Sequence, residues 1–147
     1  MLGRLFKRFQ PTTVDDPMFG TLTNDKYGNW RGRILFAPLQ REIALIVRNT
    51  PDNPPTQEHR EFLKQVTERW AEIHKNLQET LFEDLDDLVD GTTMDELFDS
   101  LRFKAFFFWD LDANSRSWEI EATTPLDDHI FGIVMKDFDH EGFRMDG

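Results

Sequence analysis

One amphipathic segment, residues 56–89, constrains the fold of this chain more than any other feature. Phe62, Val66, Trp70, Ile73, Leu77, Leu81, Leu85 and Leu88 follow one another at spacings of 4, 4, 3, 4, 4, 4 and 3. That is a helical period. Strand-like stretches flank the segment on both sides, so the pattern predicts an α+β domain with a long helix laid across a mostly antiparallel sheet. Thr56 is placed to cap the helix and Gly91 to stop it. At about 1.5 Å per residue such a helix is roughly 50 Å long, against about 20 Å for an ordinary strand. It must therefore overhang the sheet, kink, or break near residues 78–80. Thr93-Met-Asp-Glu96 is a capping box that opens a second, short helix over about 93–101.

The strands read as follows. Residues 19–23 and 27–35 make a first pair, with Trp30, Ile34 and Phe36 as apolar anchors, and 42–48 makes a third. After the helices come 103–109, then 117–123. In the latter Trp118, Ile120 and Ala122 alternate with Glu119 and Glu121. Residues 131–136 add a strand and 142–145 an edge. The sum is a sheet of about six strands, with both helices on one face. Residues 1–10 form a basic amphipathic arm, 11–18 a linker, and 19–147 a single domain.

Length and composition support a real core. The chain has 147 residues with 14 Phe and 4 Trp, and no Cys. The missing thiols remove disulfides, thiolate nucleophiles and thiolate metal sites together, and suit a reducing cytoplasm. No apolar run approaches the roughly 18 residues of a membrane span. The net charge of −11 argues against binding nucleic acid through its phosphates.

The charge is uneven. Residues 56–100 hold 13 acidic and 4 basic side chains, a net of −9. Glu83, Asp84, Asp86, Asp87, Asp90, Asp95 and Asp99, with Glu96 among them, form the candidate surface for a basic protein partner. In the arm, Leu2, Leu5, Phe6 and Phe9 share one helical face, and Arg4, Lys7 and Arg8 take the other. Residues 2–9 could pack on their own domain, join a second copy, or lie on a membrane surface.

Chemistry-bearing motifs are sparse. Counted from Asp110, the residues Asp110, Asp112, Asn114 and Glu121 stand at positions 1, 3, 5 and 12 of a calcium loop. Position 6 is Ser115 instead of Gly, and the flanks read as strands instead of helices, so turn chemistry competes with a divalent-metal site. His129 and His140 flank one strand near Asp127, Asp128, Asp139 and Glu141, a conceivable zinc surface. No HExxH, G-x-S-x-G, P-loop or dinucleotide fingerprint occurs. Nothing favours an enzyme, and no cofactor is implied.

Four short motifs carry a resemblance. They are Asp16-Pro-Met-Phe-Gly-Thr-Leu22, Trp30-Arg-Gly32, Thr93-Met-Asp-Glu-Leu-Phe98 and Ile130-Phe-Gly-Ile-Val-Met135. In this pattern the chain resembles small bacterial α+β proteins of unknown function, some of whose relatives look like immunity proteins of toxin systems. Ile133 stands where those relatives tend to carry His. The resemblance implies a non-catalytic binding domain and supplies no catalytic residues.

Overall fold

The computed structural model describes residues 10–49, 53–85, 93–111 and 116–146. Its core is one mixed sheet of eight strands in strictly sequential order. The strands are β1 (Thr13–Asp16), β2 (Gly20–Asn24), β3 (Asn29–Phe36), β4 (Arg41–Arg48), β5 (Arg102–Asp110), β6 (Ser117–Thr124), β7 (Asp127–Lys136) and β8 (Asp139–Asp146). Between β4 and β5 run the helices α1 (Gln57–Glu68), α2 (Trp70–Leu85) and α3 (Met94–Ser100). Neighbouring strands are antiparallel except β4 and β5, which pair in parallel from Ala44↔Ala105 to Val47↔Phe108. Two four-stranded meanders thus meet at one parallel joint. A parallel pair needs a long crossover, and the helices supply it.

This corrects the expected six-stranded sheet with one long helix. The stretch read as a linker, 11–18, contains the edge strand β1. The stretch 142–145 is part of a full eight-residue edge strand. The helix expected over 56–89 is broken at Arg69, whose φ and ψ are −102° and 13°.

Two physical causes fit the break. The Thr67 hydroxyl donates to the Leu63 carbonyl at 2.8 Å, a back-bond that bends helices. The apolar stripe also drifts. From Phe62 to Leu81 it advances five contacts in 19 residues, which on a straight helix puts the last about 100° away from the first. Breaking the helix after Val66 lets both halves face the sheet. Phe62, Val66, Trp70, Ile73, Leu77 and Leu81 are all buried. Thr80 makes the same back-bond to Asn76, yet α2 runs through it.

The helical layer covers the sheet face made by Trp30, Ile34 and Phe36 of β3, Leu45 and Val47 of β4, Phe106 and Phe108 of β5, and Trp118 and Ile120 of β6. Aromatic rings knit the two layers. Phe62 meets Phe108 and Trp118 edge-on at 5.3 and 5.6 Å between centroids, and Trp70 meets Phe36 at 5.1 Å. The β7–β8 turn folds back onto α1, bringing Phe138 flat against Phe62 at 5.7 Å. Arg69 and Arg116 lie over the Phe138 ring at 4.0 and 5.0 Å.

β2 and β3 approach closely at Gly32. A Cβ added there would sit 2.5 Å from Leu22 Cδ2 and 3.1 Å from the Thr21 carbonyl. Leu22 is fully buried and has nowhere to swing. Gly32→Ala should therefore cost about 1–3 kcal/mol by overpacking. Urea denaturation measures it, and an unchanged midpoint would show that the β2–β3 contact yields.

Candidate functional site

The helical crossover is where the chain concentrates its charge. Residues 56–100 carry −9 of the total −11, so the rest of the chain, the sheet included, is nearly balanced at −2. The burying stripe of α1 and α2 leaves Glu58, Glu61, Glu68, Glu72 and Glu79 exposed. On α3, Asp95, Glu96 and Asp99 are exposed. Asp95 and Glu96 occupy the first turn of α3, where negative charge favours the helix dipole. Glu96 also closes the expected capping box, its N–H donating to Thr93 Oγ1 at 3.2 Å. Glu83 and Asp84 fall in the last turn of α2. Asp86, Asp87 and Asp90 lie outside the described residues. The five exposed glutamates of α1 and α2 belong to the same surface and were not singled out in the sequence. For Glu61, Glu68, Glu72 and Glu79 the signal was there, because each falls off the Phe62–Leu81 stripe; Glu58 stands four residues before Phe62, in line with it.

A cleft of about 310 Å³ notches this surface where α1 passes β5 and β6. Glu58 and Glu61 stand on its rim and Phe62 and Leu111 line it. Arg116 is held there by Asp137 at 2.8 Å and by Gln65 at 2.8 Å, over the Phe62 ring at 4.8 Å. A second hollow, of about 190 Å³, lies at the carboxyl ends of the parallel pair, between Arg48, Glu58, His59, Trp109 and Asp110. In open sheets that end commonly receives ligands.

His59 belongs to the start of α1. Its Nδ1 accepts from the Thr56 N–H at 2.9 Å, taking the place that Glu or Gln holds in a usual capping box. Burial holds its pKa below the ordinary imidazole range, with Arg60 acting the same way and Glu58 opposing. A lowered histidine pKa means that the unfolded chain takes up the proton first. Stability is then whole above the unfolded value, about 6.5, and falls as pH drops through it toward the folded value. Between pH 7.5 and pH 5.5 the wild type should lose stability that His59→Gln keeps, because Gln caps without titrating. Parallel urea curves at the two pH values would expose an equal loss in both proteins, which would assign the effect elsewhere.

The expected metal residues are only partly described. Asp110 pairs with Ser117 across the β5–β6 ladder, whereas Glu121 lies four residues further along β6, opposite Ala105. At about 3.4 Å per residue these two carboxylates are roughly 13 Å apart along the ladder. Asp112 and Asn114 lie outside the described residues. The two histidines of the conceivable zinc surface are also separated. His140 sits opposite Met135 at the top of the β7–β8 hairpin, six residues along β7 from His129. Its Nδ1 meets Thr80 Oγ1 at 3.0 Å and its Nε2 meets the Gly142 carbonyl at 2.8 Å. Among the described residues no three His, Asp or Glu side chains converge on a metal position. The arm 1–9 also lies outside them.

The four motifs of the resemblance have structural roles. Asp16 Oδ1 accepts from the N–H groups of Met18 and Phe19 at 2.8 and 2.9 Å, and Gly20 takes φ of +73° in the β1–β2 turn. Gly32 makes room for Leu22. Thr93 and Glu96 cap α3. Gly132 lies beneath the Arg144–Glu119 pair, which closes over it at 2.8 Å. Ile133 is fully buried in the core.

No protein family, curated protein or solved structure matches this chain. No helix among the described residues is long and apolar enough to cross a membrane.

Proposed function

We propose that this chain is a non-catalytic, cytoplasmic protein-binding domain of the immunity-protein kind, which captures a basic partner on its acidic helical layer. The observation that carries the reading is the segregation of charge. The sequence between β4 and β5 over residues 56–100 carries −9 of −11, and the described acidic side chains of α1, α2 and α3 are exposed. Such a field speeds encounter with a cationic surface and rejects acidic ones. The cleft beside Phe62, where Arg116 already lies over the ring, adds Glu58 and Glu61 to the acidic surface.

Capture from a cell lysate should therefore yield a dominant basic protein at about 50 mM salt and lose it at about 500 mM, since screening shortens the Debye length severalfold over that range. Reversing Glu58, Glu61, Glu68 and Glu79 to Lys should abolish that capture with the circular dichroism spectrum unchanged. Retention of the partner by the folded, charge-reversed protein would remove this mechanism.

A further inference from the structure

A third concavity differs in sign from the acidic helical surface. It lies at the amino ends of the parallel pair, enclosed by the start of β4, the start of β5, α2 and α3, with a volume of about 350 Å³. That is the lower end of the range for small-molecule sites. Arg41 and Arg102 reach it from the two strands, His74 from α2, and Phe98 and Asp99 from α3, with Phe103 on its wall. In a protein of net charge −11 this hollow gathers two guanidinium groups against one carboxylate.

The polar groups keep hydrogen-bonding capacity. Arg41 donates through one Nη to the Phe103 carbonyl. Arg102 donates through Nη1 to the Ser100 and Leu101 carbonyls at 3.3 and 3.5 Å. Each guanidinium has five N–H donors, so most remain for a ligand. His74 packs edge-on against Phe98 at 4.8 Å, and its ring nitrogens make no hydrogen bond among the described residues. Burial holds its pKa below the usual range, with Asp99 pulling the other way. The shift favours the uncharged ring, which offers one N–H and one lone pair.

We propose that this hollow is a binding site for a small organic acid, a carboxylate or phosphate monoester on an aromatic or short apolar body. Arg41 and Arg102 take the anionic head, His74 adds a hydrogen bond, and Phe98 and Phe103 hold the body. The hollow shares Asp99 with the acidic layer, but its two guanidinium groups give it the opposite sign.

The test titrates the full chain with 3-phenylpropionate, with phenyl phosphate, and with the neutral 3-phenylpropionamide, read by calorimetry and by amide chemical shifts. At least one acid should saturate, with shifts centred on residues 98–103 and His74, and the amide should bind about tenfold more weakly, as loss of a charge-assisted contact requires. Binding of only one acid upholds the site and fixes its head group. Arg102→Gln, whose present bonds go only to nearby carbonyls, should weaken binding about tenfold and leave thermal unfolding unchanged. No saturation by either acid below about 10 mM would overturn the proposal, since contacts of this kind should exceed so weak an affinity. Equal affinity for acid and amide, or an unchanged Arg102→Gln, would overturn it as well.

Discussion

Phe62→Ala should remove about 3–5 kcal/mol of unfolding free energy, the ordinary cost of emptying a buried aromatic site. The ring is 2% exposed and joins the helical layer to the sheet through Phe108 and Trp118. It also supports the returning β7–β8 turn through Phe138 and seats the Arg116 guanidinium. Three elements distant in sequence therefore lose a shared partner at once. For a chain of this size the melting temperature should fall by roughly 10–15 °C. Phe62→Leu, which refills most of the volume, should recover the larger part. A loss below about 1 kcal/mol in Phe62→Ala would mean that the layers are held together elsewhere.

Asp16→Ala should cost about 3 kcal/mol at pH 7, although Asp16 sits on a short edge strand. Its side chain is 4% exposed, and its Oδ2 accepts from Arg60 Nε at 2.9 Å, tying the β1–β2 turn to α1. Burial alone would raise its pKa. The N–H groups of Phe19 and Met18, together with Arg60, outweigh burial and hold the carboxyl below its usual range. A depressed carboxyl contributes stability in full above its unfolded value, about 4, and loses it as pH falls through the lower, folded value. The gap between wild type and Asp16→Ala should thus be widest near neutrality and close in strong acid. Asp16→Asn keeps the turn and loses the charge, so it should fall between the two. A gap that stayed constant from pH 7 to pH 2 would show that the carboxylate charge contributes nothing.

Much of this architecture is legible in the sequence because burial imprints a period. The clean alternation of Trp118, Ile120 and Ala122 reports a strand with one covered face, and β6 has it. The Phe62–Leu81 stripe reports a helix, and its average spacing of 3.8 already implies that a straight helix cannot keep it on one sheet. The break at Arg69 could have been inferred from that drift. β1 could not. Thr13-Val-Asp-Asp16 is polar and short, sits at an edge where little burial is required, and follows a proline. Strand number was underestimated for that reason, and strand order depends on tertiary contacts that leave no local period.

The binding surfaces divide similarly. An excess of acid can be counted from composition. That Glu58 and Glu61 flank a cleft over Phe62 depends on where β5 and β6 pass α1. The cavity with Arg41, His74 and Arg102 joins residues up to 61 positions apart and has no sequence signature at all.

The sequential strand order bears on how the chain finds its shape. Every strand pairing but one closes a short stretch of chain, and such contacts form early and at low entropic cost. The exception joins Ala44 to Ala105 and must await closure of a 61-residue span. The two meanders can then mature separately, each with an unsatisfied strand along its inner margin, β4 in one and β5 in the other. Those margins, rich in Ile, Val and Phe, are the surfaces most at risk of meeting the wrong chain while synthesis is still under way. Pairing of β4 with β5, which the helical crossover brings together, ends that exposure. A segment that in the finished protein only bridges two strands is thus, in the life of the nascent chain, the step that protects it from aggregation.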